Sequence, residues 1–142
     1  ELDDLMVEIK RSQHKLVDYL QIRQSEIHAC TDITGFGLLG HLSEMLGTNN
    51  DIALRLDGSA IPIYKGALRL AKKGIASTLA PKNRAAWRLL NGKVRLENSN
   101  TGVLPEILVD PQTCGPLLVA CQHQAAEELI KTKNWRKIGE AE

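Results

Sequence analysis

Cys30-Thr31-Asp32-Ile33-Thr34-Gly35-Phe36-Gly37-Leu38-Leu39-Gly40-His41-Leu42 is the stretch that decides the fold around it. A short buried strand, predicted for residues 27–30, runs into a glycine-punctuated turn, and the leucines that follow predict a helix. Glycine permits positive φ angles and close approach to the backbone, so Gly35 and Gly37 are expected to use that freedom. The carboxylate of Asp32 and the hydroxyls of two threonines are therefore predicted near the start of a helix.

The chemistry of this turn leaves two interpretations open. Carboxylate oxygens suit Mg²⁺, and backbone amides at the start of a helix suit phosphate. In the other interpretation this is an ordinary strand-to-helix turn, in which Thr34 is the helix N-cap and Asp32 makes only turn hydrogen bonds.

Two runs, HACTDITGFGLLGH at 28–41 and DPQTCGPLLVA at 110–120, resemble the C-terminal domain of selenophosphate synthetase (selenide, water dikinase). Weaker supports, in the same order, are the segment IPIYKGALRLAKKGI at 61–75, Asn83, and WRKIGEA at 135–141. The second run departs from the family's usual Asp-Pro-Gln-Thr-Ser-Gly-Gly at Cys114 and Pro116. Proline removes an amide donor, so a role that needed that amide is lost.

The resemblance implies a site shared between two domains. The aspartate that matches Asp32 joins aspartates of an N-terminal domain in holding Mg²⁺ on the phosphates of ATP, so Asp32 is the predicted metal ligand. Thr31, Thr34 and Gly35, with Gly37, are expected to position it and to present amides near phosphate. No residue of this chain is expected to be catalytic, because the reactive Cys or selenocysteine and its Lys partner belong to the N-terminal domain.

The resemblance also implies a reaction, in which ATP, selenide and water give selenophosphate, AMP and phosphate. Residues 1–142 are expected to form a single domain with the C-terminal fold of aminoimidazole ribonucleotide (AIR) synthetase and its relatives. The chain, which opens at Glu1, is expected to be a fragment of a longer protein, inactive without its N-terminal domain. The whole protein is expected to be a homodimer.

Two other functions remain open from the sequence. One is a related ATP-dependent synthetase, acting on purine intermediates or in hydrogenase maturation. The other is a non-catalytic dimerisation or interaction domain, a degenerate or fused copy of the family. Cys114 and Pro116 favour that last interpretation, and the intact Asp32 argues against it.

Composition excludes several classes of partner. The 142 residues carry 18 Lys and Arg against 17 Asp and Glu, so no overall field recruits nucleic acid or an anionic membrane. No apolar run approaches the roughly 20 residues that span a bilayer. Three cysteines without a CxxC pair predict reduced thiols, and the domain is expected to be soluble and cytoplasmic. Cys30 and Cys121 are predicted to be buried and inert, and Cys114 to be exposed.

Phe36 and the four histidines are predicted to have structural rather than ligand-binding roles. Phe36, the one phenylalanine, is predicted to be a packing anchor rather than a stacking platform for adenine. The histidines show no metal-ligand spacing and are expected at the surface or the edge of the core; they are His14, His28, His41 and His123.

Hydrophobic periodicity predicts strands that alternate with helices. Helices are predicted over 2–20, over 38–46 up to Gly47 and the polar residues 48–50, from Ile61-Pro62 to Gly74, over 85–90 up to Asn91-Gly92, and after His123. Strands are predicted over 27–30, 52–56, 94–96 and 117–121, with a last strand starting within 135–139. Residues 77–83 are predicted to be a loop, and the type of element at 104–109 is left open.

This order of elements predicts an α/β (α+β) fold, a two-layer sandwich with about four to six strands in one sheet. The resemblance implies a mixed β-sheet with helices packed on one face.

Overall fold

The computed structural model describes residues 2–48, 51–89, 93–99 and 102–142. Within those ranges the chain forms seven α-helices, five strands and a single 3₁₀ turn at Gln24–Glu26. The helices are α1 Leu2–Ile9, α2 His14–Ile22, α3 Gly37–Leu46, α4 Ala67–Lys72, α5 Ala80–Leu89, α6 Leu104–Leu108 and α7 His123–Lys131. The strands are β1 Ile27–Asp32, β2 Leu54–Asp57, β3 Val94–Glu97, β4 Leu117–Cys121 and β5 Gly139–Ala141.

The five strands form two sheets. Antiparallel β1 and β4 pair with Cys30 opposite Val119 and Asp32 opposite Leu117. In the other sheet, β2 runs parallel to β3 and antiparallel to β5. The α/β class, the mixed sheet and the number of strands are confirmed, but the strands do not share a single sheet. Periodicity indicates which face of a strand is buried and not which strand lies beside it, so this division could not be predicted.

The core is built around α3, which contacts β1, α5 and α6. Its predicted inner stripe is confirmed, because four of its leucines are buried and Met45 packs partly against them. Leu39 and Val109 are the largest fully buried side chains. The cluster consists of Ile33, Leu38, Leu39, Leu42, Leu56, Leu104, Leu108, Val109 and Leu118.

The N-terminal helix differs from its prediction, because residues 2–20 form two helices with a break at 10–13. At the break, the Gln13 side chain donates from Nε2 to the carbonyl of Gly115 at 2.6 Å. Ser12 Oγ accepts a hydrogen bond from the amide of His14 at 3.3 Å. The break therefore coincides with a contact to a residue distant in sequence, which helical periodicity does not predict. No residue of α1 is buried.

Two helices begin at residues other than those predicted. The helix expected from Ile61-Pro62 begins only at Ala67, after Gly66 adopts a left-handed φ of 89°. The loop predicted for 77–83 is wrong from residue 80, because α5 includes Pro81 in its first turn. Proline is tolerated there, since the first amides of a helix have no intrahelical partner.

The remaining elements lie close to their predictions. β1, β3, β4 and α7 are confirmed, and residues 104–108 form helix α6. β2 starts at Leu54 rather than at residue 52, and the last strand starts only at Gly139. Some predictions fall outside the described residues. They concern the helix end predicted at 90–92, the polar residues 49–50 predicted to end α3, and residues 100–101. Among the described helices, none has the length and apolar character needed to cross a membrane.

Candidate metal and phosphate site

Two loops that are distant in sequence lie against each other. The first loop, residues 32–37, connects the end of β1 to the start of α3 and includes the terminal residue of each. The second loop, residues 110–116, precedes β4. The amide of Ile33 donates to the carbonyl of Pro116 at 3.0 Å, and the amide of Gln112 donates to the carbonyl of Thr34 at 2.9 Å. Because β1 and β4 are antiparallel partners, the end of one lies beside the start of the other. The two sequence runs that carry the family resemblance therefore lie side by side in the fold.

Glycines permit this close approach of the two loops. Gly37 has a φ of +68°, and a Cβ there would lie 2.7 Å from the carbonyl carbon of Val109. A Cβ at Gly115 would lie 1.9 Å from the carbonyl oxygen of Ile33. Gly35 differs, because its φ is not positive and a Cβ there would have nothing within 4 Å. The expectation of positive φ thus holds at Gly37 and is wrong at Gly35, whose Cα faces open space.

The buried side chain of His41 is hydrogen-bonded to the first loop. The residue is only 5% exposed. Its Nε2 accepts a hydrogen bond from the amide of Thr34 at 3.0 Å and lies 3.3 Å from the Thr34 hydroxyl. Its Nδ1 lies 2.9 Å from a carboxylate oxygen of Glu44. The prediction of a surface or core-edge position is wrong. The available signal was helical spacing, because residue 41 falls on the buried stripe between Leu38 and Met45.

Phe36 lies over His41, with the ring centroids 5.7 Å apart and the planes tilted by 57°. Its side chain remains 56% exposed, so the predicted packing anchor is wrong. Gly40 makes room for this position, since a Cβ there would lie 2.5 Å from Cβ of Phe36. The phenylalanine therefore covers the imidazole and contributes no core of its own.

Asn83 joins the first loop to the end of α6. The residue is 8% exposed, and its Nδ2 donates to the carbonyls of Gly35 and Val109, both at 2.9 Å. One side-chain amide thereby satisfies two backbone oxygens from segments 74 residues apart. The sequence identified Asn83 only as a weak support for the family resemblance, and placed it in a loop rather than on α5.

Asp32 is the last residue of β1 rather than part of the turn, and it is exposed. Among the residues that the structure describes, none makes a hydrogen bond or ion pair with its carboxylate. The alternative in which Thr34 is the N-cap is wrong. α3 begins at Gly37 with Phe36 at the N-cap position, and no side chain caps it. Thr34 instead accepts the amide of Gly37 on its carbonyl at 3.1 Å.

The predicted site residues are not all on one face. Asp32, Thr34 and Gly35 lie together at the end of β1. Thr31 is opposite the buried Leu118, and successive strand residues point to opposite faces, so its side chain lies on the other side of the sheet from the Asp32 carboxylate.

The second loop accommodates its two departures from the family pattern. Cys114 is exposed and has a left-handed φ of 53°. Pro116 is exposed, and it is the carbonyl of this residue that bonds to Ile33, a group that proline retains. Asp110 accepts the amide of Ser77 on Oδ1 at 3.3 Å, which connects the loop to the start of α5.

The cysteine thiols show no sign of activation. Cys30 is exposed, so its predicted burial is wrong, while Cys121 is half-buried. Partial burial, followed by the charge of Asp32, raises the pKa of the Cys30 thiol. Partial burial, followed by Glu26, raises the pKa of the Cys121 thiol. Both stay protonated at neutral pH, which fits their predicted inert character.

The described residues fit one part of a magnesium site. They contain no group of three or more His, Cys, Asp or Glu side chains able to hold a metal ion. Mg²⁺ is usually held by one or two carboxylates, with phosphate and water as the other ligands. An exposed, unengaged carboxylate at Asp32, three residues before the open backbone of Gly35, suits a shared site. Its other ligands would come from groups outside the described residues.

Comparison with known proteins identifies the family of this chain. Residues 5–142 match the family described as "AIR synthase related protein, C-terminal domain". The chain belongs to this family. The resemblance to the C-terminal domain of selenophosphate synthetase is also confirmed, because similar proteins carry the name selenide, water dikinase.

Three such relatives are each named selenide, water dikinase. The protein of Agathobacter rectalis is 42% identical over 105 residues, which cover 74% of this chain and 29% of the relative. That of Caldanaerobacter subterraneus subsp. tengcongensis is 35% identical over 130 residues, or 92% of this chain and 36% of the relative. That of Pseudomonas straminea is 36% identical over 105 residues, or 74% and 28%. The matched part thus spans about a third of each relative.

Proposed function

We propose that this chain is the C-terminal domain of a selenophosphate synthetase and works with an N-terminal domain of the same polypeptide. The whole protein would use ATP and water to convert selenide to selenophosphate, with release of AMP and phosphate. The observation that carries the proposal is the Asp32 carboxylate, exposed and unengaged at the end of a strand whose following loop is held by buried hydrogen bonds. The relatives named selenide, water dikinase supply the reaction.

Asp32 would hold Mg²⁺ together with carboxylates of the N-terminal domain. When bound, the metal ion supplies charge neutralisation and orientation of the ATP phosphates. Asp32 needs no rearrangement for this role, because no other described side chain competes for its oxygens. Gly35 follows Asp32 by three residues on the same loop.

Gly35 would admit the phosphates. It lacks a Cβ, and its surroundings leave open the volume that a Cβ would occupy. The fold therefore does not itself require glycine at this position, whereas a ligand that approaches the backbone does. The amide of Thr34 is engaged by His41, so Thr34 is assigned to positioning and not to phosphate binding. Thr31 is likewise assigned to the support of the strand end.

The chain by itself is expected to be inactive, because the residue that handles selenium would belong to the N-terminal domain. The whole protein is proposed to be a cytoplasmic homodimer. Its substrates would be ATP and selenide, with Mg²⁺ as the cofactor.

The test is to incubate the full-length protein with ATP, Mg²⁺ and selenide and to follow the products by phosphorus NMR. Asp32→Asn removes the charge and keeps the shape of the side chain. We expect the wild type to form selenophosphate and AMP, and the variant to lose at least about a hundredfold in rate, or about 2.7 kcal/mol of barrier. The matched control is Asp3→Asn, an exposed acid on α1, which should leave the rate unchanged.

A second candidate is a non-catalytic interaction domain. It is favoured by α1, where Leu2 and Val7 are 69% and 68% exposed, and by the departures at Cys114 and Pro116. A full-length protein that folds but forms neither product would favour this alternative. A different phosphorylated product would favour a related ATP-dependent synthetase.

A further inference from the structure

His41 is a buried polar side chain to which the proposed function gives no role of its own. The imidazole on α3 is buried, whereas its partner Glu44, three residues further on, has a side chain 57% exposed. Both ring nitrogens are engaged, Nε2 by the amide of Thr34 and Nδ1 by the carboxylate of Glu44. A buried group with every polar atom satisfied specifies one local arrangement.

The partners determine where the proton of the neutral ring lies. A backbone amide can only donate, so Nε2 must be the acceptor in its bond with Thr34. The proton then lies on Nδ1, where the Glu44 carboxylate accepts it. The Thr34 hydroxyl, 3.3 Å from Nε2, is a second donor to the same nitrogen. Glu44 thus selects the tautomer that can hold the first loop.

We propose that His41 is a positioning residue for the Asp32 site, acting through the Thr34 amide in its Nδ1-protonated form. Thr34 lies two residues after Asp32 and directly before Gly35, so its amide fixes the path of the backbone between the carboxylate and the open glycine. The exposed ring of Phe36 packs against the imidazole, with the ring centroids 5.7 Å apart. This inference rests on the proposed function, since it assigns a role within the same site.

The first experiment compares two amide replacements of His41 in the full-length protein. His41→Gln can place its carbonyl oxygen where Nε2 lies and so accept from Thr34. The shorter His41→Asn reaches only the position of Nδ1. We expect His41→Asn to lower kcat/KM for Mg-ATP by about tenfold or more, the scale of one lost buried hydrogen bond. His41→Gln should recover most of that loss.

The control is His123→Asn on α7, an exposed histidine that also faces a carboxylate, with Glu127 at 3.4 Å. It should leave kcat/KM unchanged. A purely structural role for His41 would make both replacements equally harmful, and that result would overturn the inference.

The second experiment reads the tautomer directly and does not depend on turnover. In full-length protein labelled with ¹⁵N-histidine, we expect the His41 ring to show a protonated Nδ1 and an unprotonated Nε2. Glu44→Gln keeps an acceptor for Nδ1 and should preserve this signature, whereas Glu44→Ala should mix the tautomers and speed hydrogen exchange of the Thr34 amide. Because Glu44 is exposed, both variants should fold. A protonated Nε2 in the wild type would overturn the inference.

The two proposals fail in different ways. If Asp32→Asn keeps full activity, the metal site is refuted. The ¹⁵N NMR of the His41 ring would still test the bond between His41 and Thr34. If Asp32→Asn abolishes activity while His41→Asn matches the wild type, only the positioning role is refuted.

Discussion

The paired loops at Asp32 and the three-stranded sheet around β2 are both held by polar side chains, but of different kinds. In the loops, buried His41 and Asn83 bond to backbone atoms. On the sheet, Arg55 makes ion pairs at the surface, with Glu97 on β3 at 3.4 Å, Glu140 on β5 at 2.5 Å, and the following Glu142 at 3.0 Å.

This contrast indicates which region sets positions and which one tolerates change. A buried donor or acceptor that loses its partner cannot turn to water, so it incurs the full cost of desolvation. An exposed ion pair is replaced by hydration and screened by salt. The loops should therefore be sensitive to single substitutions, and the charged face of the sheet should not.

The sharpest way to break the comparison lies within the first loop itself. Gly37→Ala would force a Cβ to within 3 Å of three backbone atoms at the end of α6 and the start of the second loop, at a left-handed φ. We expect a loss of more than about 3 kcal/mol in the free energy of unfolding, measured by denaturant titration. Gly35→Ala, the matched control, should change stability by less than about 1 kcal/mol in either direction.

Equal losses from the two alanines would contradict the assignment of Gly37 to packing and Gly35 to ligand access. A further expectation is that Gly35→Ala weakens binding of Mg-ATP in the full-length protein although the fold is intact.

Asn83→Ala should have the next largest effect. It leaves the carbonyls of Gly35 and Val109 without their common donor, and we expect a loss of about 2 to 3 kcal/mol in the free energy of unfolding. Asn134→Ala is the control, because Asn134 is exposed and its side-chain oxygen accepts a hydrogen bond from Arg11 at 3.4 Å. A loss at Asn83 no larger than at Asn134 would show that the buried bonds do not hold the loops.

Arg55→Gln should have a smaller effect, although it removes the centre of three ion pairs. We expect the melting temperature to fall by less than in Asn83→Ala, and the difference from the wild type to shrink as salt rises to about 1 M. Arg95→Gln on the neighbouring strand, in register with Arg55, is the control. A large loss that persists in high salt would mean that the sheet is held as tightly as the loops.

The smallest expected effect is a pH dependence at Asp57. Hydrogen bonds from the hydroxyl of Ser59, then from Asn98, lower the pKa of the Asp57 carboxyl in the folded chain. Because the pKa of Asp57 is lower in the folded than in the unfolded chain, the ionised carboxylate stabilises the fold at any pH above the unfolded-state pKa. That stabilisation is lost as the pH falls through the folded-state pKa, so it fades below about pH 4. Unfolding titrations should show Asp57→Ala less stable than wild type at pH 7, with the gap closing in acid. A gap unchanged by pH would contradict this.

Local patterns in the sequence predicted much of this fold. The stripe of α3, the strands β1, β3 and β4, and helix α7 follow from periodicity, because each buries one face against the core. The candidate site could be located because the two runs of residues keep the family's order. The role of Gly35, by contrast, became distinct from that of Gly37 only when the surroundings of each Cα were known.

Contacts between distant residues could not be predicted in this way. Gln13 bonds to Gly115 at the break between α1 and α2, and Asn83 joins segments on either side of α5. His41 occupies a position on an apolar stripe. Its burial could be explained only from its hydrogen-bond partners Thr34 and Glu44, which the sequence does not identify. Strand pairing also depends on partners that are not local, so the two sheets were not foreseen.

The most direct test of the central claim is to measure metal binding at Asp32. Mn²⁺ replaces Mg²⁺ at oxygen sites and is visible by electron paramagnetic resonance, so its affinity for the full-length protein can be titrated in the presence of ATP. We predict that Asp32→Asn weakens Mn²⁺ binding by about tenfold or more, while Asp3→Asn binds as the wild type does. Equal affinities for all three proteins would contradict the assignment of Asp32 as a metal ligand.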